Sequence, residues 1–446
     1  GEFEPSRAML VETLLRIAVG VSALGNPRGL PRSLTEALTS DLAPARFAKD
    51  FSKPLAVPEA GIEAAVRAMR SGRLFRYGAS SAASSEVARA EREFADGVAG
   101  TRYAVGVNSG SSALMLGLMA VGVKPGDRVV CNGFAFTGVP STIMRLGAEP
   151  VLVDTDAHFR LDVADLEAKL DAFPDARALV LSHTRGRVCD LDRVAALAEA
   201  RKLDVVEDCG HAAGASWRGR PVGRLGAVAA FGARSDSMLN GGEAGFATTD
   251  DAETAAKLVY LSGCYERRYG KHGARPEDDD LLERAMATMP YLSTRMSELS
   301  AACLRPAVAS LADRVVEANR RHALIARSLG DLAGGGVVLP ESDPRASCVG
   351  DRLTFSVPAL DEAANGFFRT TCVALGVPVA WLKSPANAFY HGNWRNYGAP
   401  TFELPGTDAL LETAYDLALP AYFGDDDLRH VAEIVAYAYA CAAAAS

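Results

Sequence analysis

The chain has 446 residues, 49% of them hydrophobic and 23% charged, with a formal net charge of −8. This is the composition of a globular protein of about two to three domains. Its acidic balance argues against nucleic acid or anionic membrane as the main partner, and no apolar run reaches the roughly 18–20 residues of a membrane span. The eight cysteines are scattered without a C-x-x-C, and the seven histidines show no H-x-x-x-H pairing. Such usage fits reduced thiols in a cytoplasmic protein, with no metal site.

Residues 1–52 read as an N-terminal helical arm. Within it "MLVETLLRIAVGVSAL" carries Glu12 and Arg16 and lacks a basic lead, which favours an amphipathic helix over a signal peptide. "AGIEAAVRAMRSG" is a helix closed by Gly72, and "EVARAEREFADGVAG" is a second. "YAVGVNSG" is a strand, and "SALMLGLMAVGV" is the helix that follows it. Next come the short apolar runs "RVVCN", "EPVLVDT", "ALVLSH", "LDVVED" and "AVAAFGA", separated by helical stretches. Alternation of this kind predicts a mainly parallel α/β sheet in a large unit spanning 53–305. A single long helix is expected from "RMSELSAACLRPAVASLADRVVEANRRHALIARSL", crossing into a smaller α+β unit at 306–446. That unit would hold "RLTFSVPAL", a helix around 361–375 and a final helix at 425–443.

Three segments carry chemistry. "VNSGSSALMLGL" sets small residues between a strand end and a helix start, where free N–H groups and serine hydroxyls make a phosphate cradle. The same residues also suit a plain serine-capped helix. In "LDVVEDCGHAAGA" an apolar strand delivers Asp208 at its C-terminal end, where open α/β sheets bind ligands, with His211 three residues on. A carboxylate there can keep a pyridinium nitrogen protonated, although a helix cap or buried ion pair would use it equally. "VCNGFAFTGVPSTI" supplies Phe134 and Phe136, either of which is core or a surface for a planar ring.

In this order, together with "SGRLFRYG", "PGDRVV", "GAEPVLVDTD", "GGEAGFATTDD" and "RMSELSAA", these segments resemble the DegT/DnrJ/EryC1/StrS family of sugar and cyclitol aminotransferases. The resemblance runs from about 55 to 440 and implies a fold-type-I pyridoxal phosphate architecture with a seven-stranded sheet. It also implies roles. Gly110 and Ser111 would hold the cofactor phosphate, Phe136 would cover the ring, Asp208 would pair with the ring nitrogen, and His211 would lie near the ring hydroxyl. Glu243 falls in the turn after the anchor position. Ser293 and Arg295 would approach the partner's site in a homodimer.

The departures from the family pattern concern the cofactor itself. Family members read Phe-Ser-Phe-His-x-x-Lys before a glycine turn, whereas this chain reads "FGARSDS", residues 231–237. Gly232 stands for the phosphate-binding serine, Arg234 for the histidine and Ser237 for the Schiff-base lysine; Ser293 stands for an asparagine lent across the dimer. A serine hydroxyl neither forms a Schiff base nor accepts a proton near neutral pH, so ordinary transamination is not expected. His211, or a water held on Ser237, would have to serve as the base, and Arg234 would supply charge for the phosphate. The expected function is therefore an aminotransferase-like enzyme of natural-product or antibiotic biosynthesis repurposed toward dehydratase-like or other chemistry. It would bind pyridoxal or pyridoxamine phosphate (PLP or PMP) noncovalently, or another ligand, and act on a sugar, cyclitol or amino-acid-derived intermediate. The alternative is a non-catalytic pseudo-aminotransferase subunit in a heterodimer with an active homologue.

Overall fold

The computed structural model describes residues 43–235 and 237–445, so the amphipathic helix expected at 9–24 lies outside the described residues. Helix α1 (Glu59–Ser71) ends where Gly72 takes a left-handed backbone, φ 69°, as a helix C-terminus favours. Helix α2 (Glu86–Phe94) begins at Ser85, whose hydroxyl accepts the Ala88 N–H.

Every strand expected from the apolar runs forms. They are β1 (Tyr103–Val107), β2 (Arg128–Asn132), β3 (Glu149–Val153), β4 (Ala178–Ser182), β5 (Asp204–Asp208) and, after the two-residue strands β6 (Ser216–Trp217) and β7 (Arg220–Pro221), β8 (Val228–Gly232). Strand β9 (Gly245–Thr249) completes a seven-stranded sheet in the order β1-β9-β8-β5-β4-β2-β3. All neighbours are parallel except β9, which runs antiparallel to both β1 and β8. The connecting helices are α3 (Gly110–Ala120), α4 (Gly138–Arg145), α5 (Val163–Ala172), α6 (Leu191–Arg201), α7 (Ala252–Leu261) and α8 (Asp279–Thr288). Because strand side chains alternate, Leu179, Leu181 and Phe231 enter one buried cluster while Val180, Val206 and Ala230 enter the other. Both faces being covered, the strands read as unbroken apolar runs.

The single long helix is a correction. The segment forms two helices, α9 (Glu298–Ala309) and α10 (Leu311–Leu332), separated at Ser310 with φ −103° and ψ 7°. Pro306 sits inside α9, where it lacks the N–H that would bond the carbonyl a turn earlier, and the Ser310 hydroxyl takes the Pro306 carbonyl at 3.0 Å. Helix α10 then bridges two cores. Leu311 and Val315 pack with the large sheet, whereas Ile325 and Leu329 pack with a smaller sheet.

That smaller sheet contains β11 (Arg352–Ser356), β12 (Ala380–Trp381) and β13 (Ala414–Ala418), antiparallel in the order β11-β13-β12; the short β10 (Ala346–Ser347) instead pairs with β6. Helices α11 (Glu362–Ala374), α12 (His391–Trp394), α13 (Pro405–Glu412) and α14 (Asp425–Ala445) accompany it. Phe47 closes this core against Phe423, at 5.1 Å between rings, and its N–H bonds the Leu375 carbonyl. Among the described residues, no helix is long and apolar enough to cross a membrane.

Candidate functional site

The C-terminal ends of β4, β5 and β8 converge where a sheet of this topology binds ligands. Asp208, the last residue of β5, is half-buried. Its carboxylate accepts the Ser182 hydroxyl at 2.7 Å and the Gly210 N–H at 3.1 Å. Ser182 is fixed in turn by Asn132, whose side chain bonds both the N–H and the carbonyl of Ser182. The neighbouring Glu207 faces the opposite way. It accepts the N–H groups of Gly223, Leu225 and Gly226 and sits 3.0 Å from His183 Nε2. His183, Glu207 and Cys209 form a fully buried group able to hold a metal ion, yet these N–H donors already occupy the carboxylate and make it a clasp for the loop.

Three glycines shape the cradle beside Asp208. A Cβ on Gly245 would fall 2.5 Å from the Ser109 carbonyl carbon and 2.7 Å from the Gly110 nitrogen. Only glycine lets β9 lie this close to the start of α3, where Ser109 caps the helix by accepting the Ser112 N–H. Gly110 lies against Gly232, since its Cβ would come 3.2 Å from the Gly232 Cα. Gly232 itself has room, because a Cβ there would meet only Gly210, at 3.9 Å. Where the family carries a serine, this chain keeps the space and drops the hydroxyl.

A cavity of about 190 Å³ opens beside the cradle, lined among others by Phe136, Arg185, His211, Arg234, Ser237 and Arg352. Phe389 forms one wall, 5.5 Å from Phe136 and 5.6 Å from His211 between ring centres. Arg234 lies 5.8 Å over the Phe136 ring, and Arg185 lies 4.0 Å over Phe389. Behind them Asp416, fully buried on β13, offers one carboxylate oxygen to both Arg185 (3.0 Å) and Arg352 (2.8 Å). Burial, reinforced by the guanidiniums of Arg185, Arg234 and Arg352, holds the His211 imidazole well below its ordinary range, so it is neutral at pH 7. Burial also lowers Arg185 to about 10, which leaves it charged, and raises the carboxyl of Asp351 at the cavity wall to about 6.

Ser237 is positioned by its own turn. Its hydroxyl lies 2.8 Å from the Arg234 carbonyl and 2.7 Å from the Leu239 carbonyl, so its one proton is committed to the backbone. No lysine is among the residues lining the cavity, and Lys383 is paired with Glu412.

Of the residues singled out from sequence, Phe136, His211, Arg234 and Ser237 share this cavity. Asp208 reaches it through Gly210, and Gly110 through Gly232. Ser111 is exposed in the first turn of α3. Glu243 and Ser293 are exposed and outside the lining; Arg295, half-buried and also outside it, bonds the Gly263 carbonyl and lies over Phe75. The sequence reading missed Arg185, Asp351, Arg352, Phe389 and Asp416. Only Arg185 had a signal, since "SHTRGRV" places arginines just past a strand end.

A seven-stranded mixed sheet with its ligand crevice at the strand ends, joined to a smaller antiparallel sheet, is the fold-type-I aminotransferase architecture. The model of the DegT/DnrJ/EryC1/StrS aminotransferase family matches residues 59–436, and the chain belongs to that family. It is similar to 3-amino-5-hydroxybenzoate synthase of Amycolatopsis mediterranei (strain S699), with 30% identity over 388 residues, 84% of this chain and 94% of that protein. It also resembles L-glutamine:2-deoxy-scyllo-inosose aminotransferase of Streptoalloteichus tenebrarius, with 33% identity over 332 residues, 73% of this chain and 75% of the relative. Among solved structures, 3-amino-5-hydroxybenzoic acid synthase superposes with a TM-score of 0.75 at 28% identity, covering 88% of this chain and all of that one.

Proposed function

We propose that this chain is a biosynthetic enzyme on the aminotransferase fold that has left ordinary transamination and holds PLP or PMP without a covalent bond. The carrying observation is the pairing of a cradle retained but for one serine hydroxyl with an absent anchor: Asp208 and Gly110 remain and Gly232 keeps the serine's space, while the Ser237 hydroxyl faces two backbone carbonyls. These residues fit the cofactor in part. Asp208 is placed at a strand end suited to a pyridinium nitrogen, the N–H groups of Gly110 and Ser111 suit a phosphate, and Phe136 suits a ring face. When bound, the cofactor would supply an electron sink for a carbanion beside the substrate nitrogen.

The chain's own residues do the rest. Neutral His211 has the free base needed to take a proton in the cavity, the role lysine fills elsewhere in the family. Arg234 adds positive charge beside the cradle that lost its serine. Phe136 and Phe389 wall the cavity. The substrate is a small sugar, cyclitol or amino-acid-derived intermediate of natural-product biosynthesis, in keeping with what the relatives are named for. To test this, His211→Ala and Asp208→Ala should each abolish turnover, and Ser237→Lys should give a coloured species that borohydride fixes to the protein. A lysine variant that takes up no cofactor would show that the cradle has changed ligand.

A second reading, a non-catalytic subunit, draws support from the exposed side chains Phe75, Tyr291 and Leu292 around Ser293 and Arg295. An apolar patch of this kind suits subunit contact, either with a second copy or with an active homologue. Tyr291→Asp should weaken dimers in light scattering, and activity that appears only on mixing with a homologue would favour this reading over the first.

A further inference from the structure

We infer that a cavity between α12 and α13 is a second small-molecule site, built for a protonated amino sugar or aminocyclitol and separate from the cavity that holds His211 and Ser237. It stands independently of the cofactor reading above.

The cavity encloses about 390 Å³, within the roughly 300–1,000 Å³ of small-molecule sites, and shares no lining residue with the first one. Two helices and their connecting loop form it. Tyr390 and His391 stand at the start of α12, Arg395 follows its end, Phe402 and Glu403 lie in the loop, and Asp408 is in the first turn of α13. The Tyr390 hydroxyl and His391 Nε2 approach the same oxygen of Asp408, Oδ1, at 3.2 and 3.3 Å. They fix the carboxylate and leave its Oδ2 as an acceptor for a ligand. Burial takes His391 below its ordinary range, with Asp408 opposing, so the ring is neutral at pH 7 and donates from Nε2.

Charge and shape define the ligand. Asp408 and Glu403 line the cavity with two carboxylates, and Arg395 with one guanidinium, so the lining suits a ligand carrying one positive charge. Two charges beyond the lining also act on Tyr390 and His391, and both are already engaged. Lys383 is paired with Glu412, and Asp154 accepts the N–H groups of Gly406 and Thr407. An ammonium supplies the missing charge and three donors for the carboxylates, while Arg395 donates to ring hydroxyls. Tyr390 and Phe402, both half-buried, offer aromatic surface to the C–H side of a saturated ring. A Cβ on Gly392 would come 2.5 Å from the Tyr390 ring, so only glycine lets α12 pack against that ring and hold it still. Phe389 walls the first cavity and Tyr390 the second, which sets the two sites back to back.

The test is a ligand-observed NMR titration of the full chain at pH 7 with methyl α-D-glucosaminide, its N-acetyl derivative and methyl α-D-glucoside. The charged sugar should bind about 10-fold more tightly than the two neutral ones. Asp408→Asn should weaken it about 10-fold and leave the neutral sugars unchanged. Glu403→Gln, on an exposed side chain, should weaken it about 3-fold, and decides the matter should Asp408→Asn fail to fold. His211→Ala should leave binding as it is. No binding of the glucosaminide, equal binding of all three sugars, indifference to both carboxylate variants, or loss of binding in His211→Ala would each overturn the inference. Wild-type protein that binds the glucosaminide through Asp408 and takes up no PLP would refute the proposed cofactor and leave this site standing.

Discussion

Replacing Asp416 with asparagine perturbs the cluster at its hub. Asp416 is fully buried and is the shared acceptor for Arg185 and Arg352, whose side chains are 10% and 26% exposed. Removing one partner of a buried ion pair costs about 3–5 kcal/mol. Asparagine keeps the volume and an acceptor oxygen but loses the negative charge, and Arg352 can turn toward water, so the lower end, about 3 kcal/mol, is expected. Urea denaturation read by tryptophan fluorescence suits the measurement, since Trp381 pairs with Tyr415, next to the altered residue. A variant less than about 1 kcal/mol below wild type would refute the reasoning: the two arginines would not then depend on the Asp416 charge.

The glycines give an opposed pair. Gly232→Ser should change stability by less than about 0.5 kcal/mol and tighten PLP retention, whereas Gly245→Ala, which drives a Cβ into the backbone of Ser109 and Gly110, should cost about 1–3 kcal/mol and lose it, both read by thermal melts and cofactor uptake. Asp351 gives a pH signature. Its folded value of about 6 exceeds the ordinary 3.8, so its contribution is full below pH 4 and fades as pH rises through 6, by up to about 3 kcal/mol. Melting temperature measured from pH 4 to 8 should flatten over that interval in Asp351→Asn relative to the wild type.

The sheet was legible because its strands are short apolar runs bounded by helical stretches, and runs such as "ALVLSH" and "LDVVED" became β4 and β5. Gly72 was legible as a helix stop for a local reason, its left-handed backbone. The break at Ser310 was not, because Pro306 can sit in a continuing helix and the turn depends on packing against two different cores. The site divides in the same way. Asp208, His211 and Ser237 lie in motifs and were visible, whereas Arg185, Arg352 and Asp416 are separated by 64 to 231 positions and meet only through the junction of two sheets. Spacing along the chain carries no trace of such a meeting.

The central claim is that this family member keeps the cofactor's cradle and lacks its bond. The direct measurement is to incubate the protein with PLP, treat half with borohydride, dialyse both halves, and record visible absorbance and intact mass. The account predicts a band that dialysis removes from both halves and a protein mass that does not change. A mass gain fixed by borohydride and mapped to a lysine would contradict it, because a residue other than Ser237 would then be supplying the anchor.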